Sequence, residues 1–207
     1  MTPAQHHYIL FHKPYGVLSQ FTGQGERQTL SQYGPFPPNV YPVGRLDADS
    51  EGLLMLTDDN AVKQYMLEPR FGHPRTYWVQ VEHVPTELAL RQLQKGLILE
   101  GKRTKPAAAR LLQKDPDLPP RPAPIRFRKN IPTAWIELTL GEGRNRQVRK
   151  MTAAVGHPTL RLVRVQIGNL SLGNLASGDS RPLTNAEREE IINLAGRYVH
   201  KKPRRAP

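Results

Sequence analysis

The sequence contains no cysteine, which excludes disulfides and thiolate metal sites. It also lacks an apolar run of about 18 residues and any secretory hydrophobic segment, so a soluble, cytoplasmic protein is expected. Acidic residues are scarce beside basic ones: 18 Asp plus Glu face 30 Lys plus Arg, for a net charge of +12 and a pI near 10.2. A field of that sign attracts polyanions, and nucleic acid is the first candidate partner. An anionic membrane surface would ask for a basic amphipathic helix or a lipid-anchor motif, and neither is evident. What is present suffices for a proper core, since 38% of the 207 residues are hydrophobic. There is no internal repeat.

The chain is organised around Val43 to Asp59, VGRLDADSEGLLMLTDD, where an Arg-Leu-Asp triplet runs through an acidic turn into an apolar segment. Leu53, Leu54, Met55 and Leu56, bounded by Gly52 and by Thr57-Asp58-Asp59, suit a buried strand better than a helix. Asp47 then sits on a loop anchored by a rigid strand, a useful place for a reactive carboxylate. Equally, Asp47 and Asp49 could be turn-formers. A calcium loop is a rival, because Asp47, Asp49, Glu51, Gly52, Leu54 and Asp58 fit the EF-hand spacing. However, Met55 cannot ligate, Asp58 replaces the bidentate Glu, and Pro37, Pro38, Pro42 and Gly44 preclude an entering helix. No metal is expected.

Taken in order, residues 1–7 read as a flexible lead-in and Tyr8 to Phe11 as a strand ending at Lys13-Pro14-Tyr15-Gly16. Gly34 to Pro42 is too proline-dense for regular structure. Asp58 or Asp59 caps a helix to about Leu67, and Thr76 to Glu82 alternates as a strand. Thr86 caps a helix to Lys95 that offers Leu88, Leu90, Leu93 and Leu97 for burial, with Gly96 as a left-handed stop. Residues 115–132 carry six prolines and the cations Arg121, Arg126, Arg128 and Lys129, and read as an exposed basic insertion. A strand follows over Thr133 to Leu140. Gly141 to Met151 then turns into a helix burying Val148, Met151 and Val155, closed by Gly156. Leu160 to Leu172 reads as two short strands around Gly168, and Thr184 with Glu187 makes a capping box for a helix ending at Gly196. Residues 200–207 are too charged and proline-rich to pack. The class is α+β, with a central, mainly antiparallel mixed sheet flanked by helices and loops. A single domain over residues 8–199 is expected, with lobes of about 8–74 and 75–199.

Arg144, Arg146, Arg149 and Lys150 could be a merely solvated face. Beside Gln147, on a helix N-terminus whose own N–H groups favour anions, they can equally form a phosphate platform, and the overall charge favours the platform. In this order, KPYG (13–16), GRLDADSEGLL (44–54), RTYWVQVE (75–82) and EGRNRQVRKM (142–151) resemble the motifs of the RsuA-like pseudouridine synthases across roughly Tyr8 to Leu183. That resemblance implies isomerisation of a uridine in large-subunit (23S) ribosomal RNA, without a cofactor, by a protein expected to be monomeric. Asp47 matches the family's catalytic aspartate, and an ionised carboxylate can stabilise or attack an electron-poor centre. Tyr77 matches the active-site tyrosine; without the resemblance it would pass for an ordinary sheet aromatic. Arg149 matches the arginine expected to pair with Asp47, and Arg45 matches a residue that enters the RNA stack where the uridine leaves. Lys13 is expected to support the site floor or a phosphate, and Arg126, Arg128 and Lys129 to join Arg144, Arg146, Gln147 and Lys150 in binding RNA.

Two departures stand out. The twelve residues before Lys13 leave no room in this sequence for the family's S4-type RNA-binding domain, so recognition is expected to rest on the catalytic domain, its insertion and the basic tails. Arg75 stands where the family often has Lys, keeping charge but not geometry. Two other classes compete: a non-catalytic ribosomal RNA-binding factor, and an N-glycoside hydrolase, which would need a second carboxylate, with Asp49 the near candidate.

Overall fold

The computed structural model describes residues 6–23, 25–121, 123–125 and 131–201, with side chains through Arg197. The strands are β1 (Tyr8–Lys13), β2 (Tyr41–Pro42), β3 (Glu51–Thr57), β4 (Arg75–Glu82), β5 (Ile98–Leu99), β6 (Lys102–Arg103), β7 (Ala107–Leu111), β8 (Thr133–Leu140), β9 (Thr159–Ile167), β10 (Leu170–Ser171) and β11 (Ser180–Pro182). The helices are α1 (Asn60–Leu67), α2 (Glu87–Lys95), α3 (Gln147–Ala154) and α4 (Asn185–Lys201). Among the described residues nine strands form one sheet whose main path runs β11-β1-β3-β9-β4-β8-β7. Its pairings are antiparallel except between β3 and β9. The expected α+β architecture with a mainly antiparallel mixed sheet is therefore what the chain builds. The sheet is continuous across residue 74, because β9 lies between β3 and β4.

The unbroken apolar run of β3 is explained by burial on both faces. Leu53 and Met55 join Tyr8, Leu10, Val62 and Ile191 on one side of the sheet. Leu54 and Leu56 join Ile9, Phe11, Leu30 and Val40 on the other. A strand covered on both faces gains from apolar residues at every position. The proline-dense segment supplies part of the second cover through Phe36. A third cluster lies under α2 and α3, where Val79, Val81, Ile136 and Leu138 meet Leu90, Leu93, Val148 and Met151. Gly52 permits the closest approach between β3 and β9: its φ is +105°, and a Cβ there would collide with the backbone of Arg164.

Local capping chemistry fixes the helix starts. Asp59 accepts from the N–H groups of Ala61 and Val62 at α1, and Thr86 from that of Ala89 at α2. At α4 the N–H of Thr184 donates to Glu187 at 2.8 Å while the N–H of Glu187 donates to Thr184 Oγ1 at 3.3 Å.

Several expectations change. Leu88 is 68% exposed, because it falls on the outer side of α2 while Ala89, Leu90 and Leu93 face inward. Gly96 has positive φ but an extended ψ of 149°, so it ends α2 without the left-handed cap. Helix α4 continues through Gly196 to Lys201, since one glycine costs a packed helix only about 1 kcal/mol. In the lead-in, His6 and His7 are tied down, their Nδ1 atoms 3.2 and 2.8 Å from the carboxylate of Asp58. In the described part of the insertion two residues are held rather than simply exposed: Leu118 packs on the first core cluster, and Arg121 lies 4.0 Å above the Tyr15 ring. Arg126, Arg128 and Lys129, and the tail from residue 202, lie outside the described residues.

Candidate active site

Asp47 opens a tight turn that enters β3, closed by the N–H of Ser50 donating to the Asp47 carbonyl at 3.0 Å. Buried groups hold the backbone on either side. Leu46 exchanges hydrogen bonds with the Ser19 hydroxyl at 2.8 and 3.0 Å. Lys13 is wholly buried, and its ammonium donates to the carbonyls of Pro14 and Val17 at 2.8 Å each and of Ala48 at 3.5 Å. Burial pushes the Lys13 amine down to about 8, against the pull of Glu51, Asp49 and Asp47. The turn is thus fixed from below while the Asp47 side chain stays 43% exposed to the cleft.

The loop from β8 to α3 forms the facing wall. Gln147, buried at the first turn of α3, accepts from the Arg144 N–H at 3.0 Å and donates to Glu142 at 2.7 Å. Glu142 in turn accepts from the N–H of Lys105 at 2.9 Å. Arg146 takes a left-handed backbone, φ 51° and ψ 33°, uncommon for a residue with a Cβ. Its guanidinium binds both oxygens of Asp49, at 3.0 and 2.7 Å, with Nη1 3.6 Å from Asp47 Oδ2. Arg149 donates to the Asp49 carbonyl at 2.6 Å and places Nε 3.4 Å from its carboxylate. Burial pushes the Asp49 carboxyl up, but the Arg146 hydrogen bonds and the charges of Arg149 and Arg146 outweigh it and hold Asp49 below the ordinary aspartate range.

Between these walls lies a cleft of about 1080 Å³. Asp47, Arg146, Arg144, Gln147, Arg45 and Tyr77 all line it. Tyr77 projects from β4, half-buried against the α2 and α3 cluster. Arg45 is exposed and makes no hydrogen bond or ion pair with the described residues, so its fork is free for a ligand.

The arrangement corrects several sequence-derived roles. Arg149 was expected beside Asp47; it clamps Asp49 instead, and Arg146 is the arginine nearest Asp47. Lys13 cannot reach RNA, because its donors are spent on buried carbonyls. Gln147 is a buried brace of the loop, not a free amide. Arg144 is partly tethered to the Arg103 carbonyl at 2.6 Å, and Lys150 pairs with Glu100 at 2.7 Å. Asp49, the second carboxylate a hydrolase would need, is committed to two arginines and kept ionised, so it is no proton donor. Glu51, an EF-hand position, is bound by Arg161. Sequence reading passed over Arg27 and Arg164, which also line the cleft. A cation interrupting the apolar run LRLVRVQI was the available signal for Arg164.

The RNA pseudouridylate synthase family matches residues 7–154, a span that includes Asp47, Tyr77 and Arg149, and the chain belongs to that family of enzymes, which isomerise uridine in RNA. It is 54% identical over 170 residues to the ribosomal large subunit pseudouridine synthase E of Xanthomonas axonopodis pv. citri, covering 81% of this chain and 89% of that one. It is 37% identical over 189 residues to the ribosomal large subunit pseudouridine synthase B of Bacillus subtilis, covering 91% and 72%. Among solved structures it is similar to a pseudouridylate synthase crystal structure, with TM-score 0.74, 29% identity, and 92% and 74% of the two chains covered.

Proposed function

We propose that this chain converts a uridine of large-subunit (23S) ribosomal RNA to pseudouridine, with Asp47 as the catalytic carboxylate. The reading rests chiefly on the exposed Asp47 carboxylate facing Arg146 across a cleft that Tyr77 also lines. Relatives at 54 and 37% identity carry large-subunit pseudouridine synthase names, which supports that RNA as the substrate.

In the reaction the C1′–N1 bond breaks, its electron pair passes to the uracil ring, the ring turns, and C5 bonds to C1′ while C5 loses a proton and N1 gains one. Asp47 supplies negative charge or an attacking oxygen. Arg146, itself braced by Asp49, sets a positive charge 3.6 Å from the Asp47 carboxylate; Arg149 holds Asp49 rather than the reacting carboxylate. Tyr77 lies against the ring as it turns. Arg45 fills the stack the nucleotide leaves, where a planar cation replaces part of the lost stacking energy. Arg144 and the exposed Arg27 neutralise flanking phosphates. Arg126, Arg128 and Lys129 add further positive charge for the RNA.

The enzyme is proposed to act as a monomer in the cytoplasm, on RNA rather than at a membrane; among the described residues no helix is long and apolar enough to cross one. Mapping pseudouridines in ribosomal RNA from cells with and without this protein tests the reading. One large-subunit position should lose its pseudouridine when the protein is removed. An unchanged map would leave only an RNA-binding role.

A further inference from the structure

We propose that Arg164 is a positioning residue for the isomerisation: from beneath the cleft it fixes Tyr77 with its phenolic O–H directed at the uracil and backs that donor with a positive charge. This rests on the pseudouridine synthase reading and adds a residue outside the 7–154 span that matches the family.

Arg164 stands in β9, paired with Tyr77 of β4 across the antiparallel ladder. Only 3% of it is exposed. Its Nε donates to the Leu53 carbonyl at 2.8 Å, yet Nη2 is buried with no acceptor. No carboxylate among the described residues pairs with it; its charge is met by the Tyr77 phenol and opposed by the like charge of Arg75. As direct cross-strand partners the two side chains lie on one face of the sheet, and both line the cleft, which sets the phenol beside the guanidinium. A cation held in the interior without a counter-ion is costly, and burial lowers its proton affinity. Core packing alone would be served better by an apolar side chain.

The hydrogen-bond inventory fixes the direction of the contact. A guanidinium only donates, so toward Arg164 the phenol oxygen can only accept. Its own hydrogen is then left to point elsewhere, and the cleft is the side on which Tyr77 is open. Negative charge develops on the uracil ring whether the carboxylate acts at C1′, releasing the ring with the bonding pair, or adds at C6, giving an enolate. In either case a phenol held as donor and polarised by a cation behind it stabilises that charge. Arg164 exchanges no atom or electron; its effect passes through the phenol.

A double-mutant cycle on single-turnover pseudouridine formation tests this, with KM measured alongside. Arg164→Gln should lower kcat about 100-fold with KM little changed, the scale for losing one preorganised donor to developing charge. Tyr77→Phe should lose a comparable factor, and the double variant no more than about threefold beyond the worse single one. Arg164→Lys, which keeps the charge, should recover about tenfold over Arg164→Gln. RNA containing 5-fluorouridine, whose C5 has no proton to lose, gives a second comparison read as consumption of the 5-fluorouridine; because fluorine stabilises a negative ring, the Arg164→Gln deficit should shrink about tenfold on it. That ratio is taken within one preparation, so a partly folded sample lowers both rates and leaves it unchanged. Additive losses, a deficit equal on both substrates, or equal rates for the Lys and Gln variants would each overturn the inference. If instead wild type forms no pseudouridine, or Asp47→Asn remains active, the underlying functional reading fails.

Discussion

Arg161 and Arg164 share one strand and are both buried, yet their surroundings differ. Arg161 binds Glu51 through two hydrogen bonds of 2.9 and 2.8 Å and donates to the Pro119 carbonyl at 2.9 Å. Arg164 faces the phenol of Tyr77 and has one carbonyl acceptor. The first pattern is how a fold tolerates an interior charge: a carboxylate takes both Nε and Nη2, a carbonyl takes the second Nη2 hydrogen, and the pair ties β9, β3 and Pro119 together. The second leaves donor capacity unanswered at the floor of the cleft. Along the same strand, the paired cation maintains structure and the unpaired one serves chemistry.

The comparison is sharpest in stability. Glu51→Ala should destabilise the protein by about 3–5 kcal/mol in urea unfolding, because it strands a buried charge. Arg164→Met removes an unpaired one, and its cost should stay near 1 kcal/mol. Comparable losses for the two would erase the distinction. Next in size, Asp49→Asn should cut turnover about 10- to 100-fold while leaving RNA binding nearly intact. Without its charge Arg146 and Arg149 lose their anchor, and misplacement of that order in a site has such costs. Full activity in this variant would mean that Asp49 is only a turn-former.

Lys13 offers a third buried cation, answered by carbonyls alone. Its folded proton affinity, near 8, lies below the ordinary 10.5. Between those values the unfolded chain holds a proton the folded one has released, so stability from this group rises with pH. Wild type should gain roughly 2 kcal/mol relative to Lys13→Met between pH 8 and 10. A parallel pair of stability curves would contradict it. Smallest is Arg45→Ala, expected to weaken RNA binding about tenfold as its place in the stack empties, with the salt dependence of affinity little changed. Unaltered binding would place Arg45 outside the stack.

Much of the fold could be read from local chemistry. Strong alternation marked Thr133 to Leu140, side-chain caps marked α1, α2 and α4, and turn residues around an apolar run marked β3. The two strands around Gly168 were legible as well, although β9, at nine residues, is longer than the short strand expected. Arg161 and Arg164 break its apolar pattern, and only the partners brought by other strands, Glu51 and Tyr77, explain them. For the same reason the family resemblance could gather Asp47, Tyr77 and the arginine cluster at one site but not assign their pairings. Whether Arg146 or Arg149 reaches Asp47 depends on a left-handed residue at the start of α3, which has no side-chain signature when that residue is arginine. Burial of Lys13 and Gln147 was hidden similarly: polar types read as exposed until the carbonyls and carboxylate that satisfy them come into place.

The most direct test compares purified wild type with Asp47→Asn on large-subunit ribosomal RNA, measuring RNA binding and pseudouridine formation in the same samples. Binding should persist within about threefold while product formation drops to about one ten-thousandth or less, as expected when a catalytic carboxylate is neutralised without moving the scaffold. A variant that still forms pseudouridine at about a tenth of the wild-type rate or faster would contradict the assignment of the chemistry to Asp47.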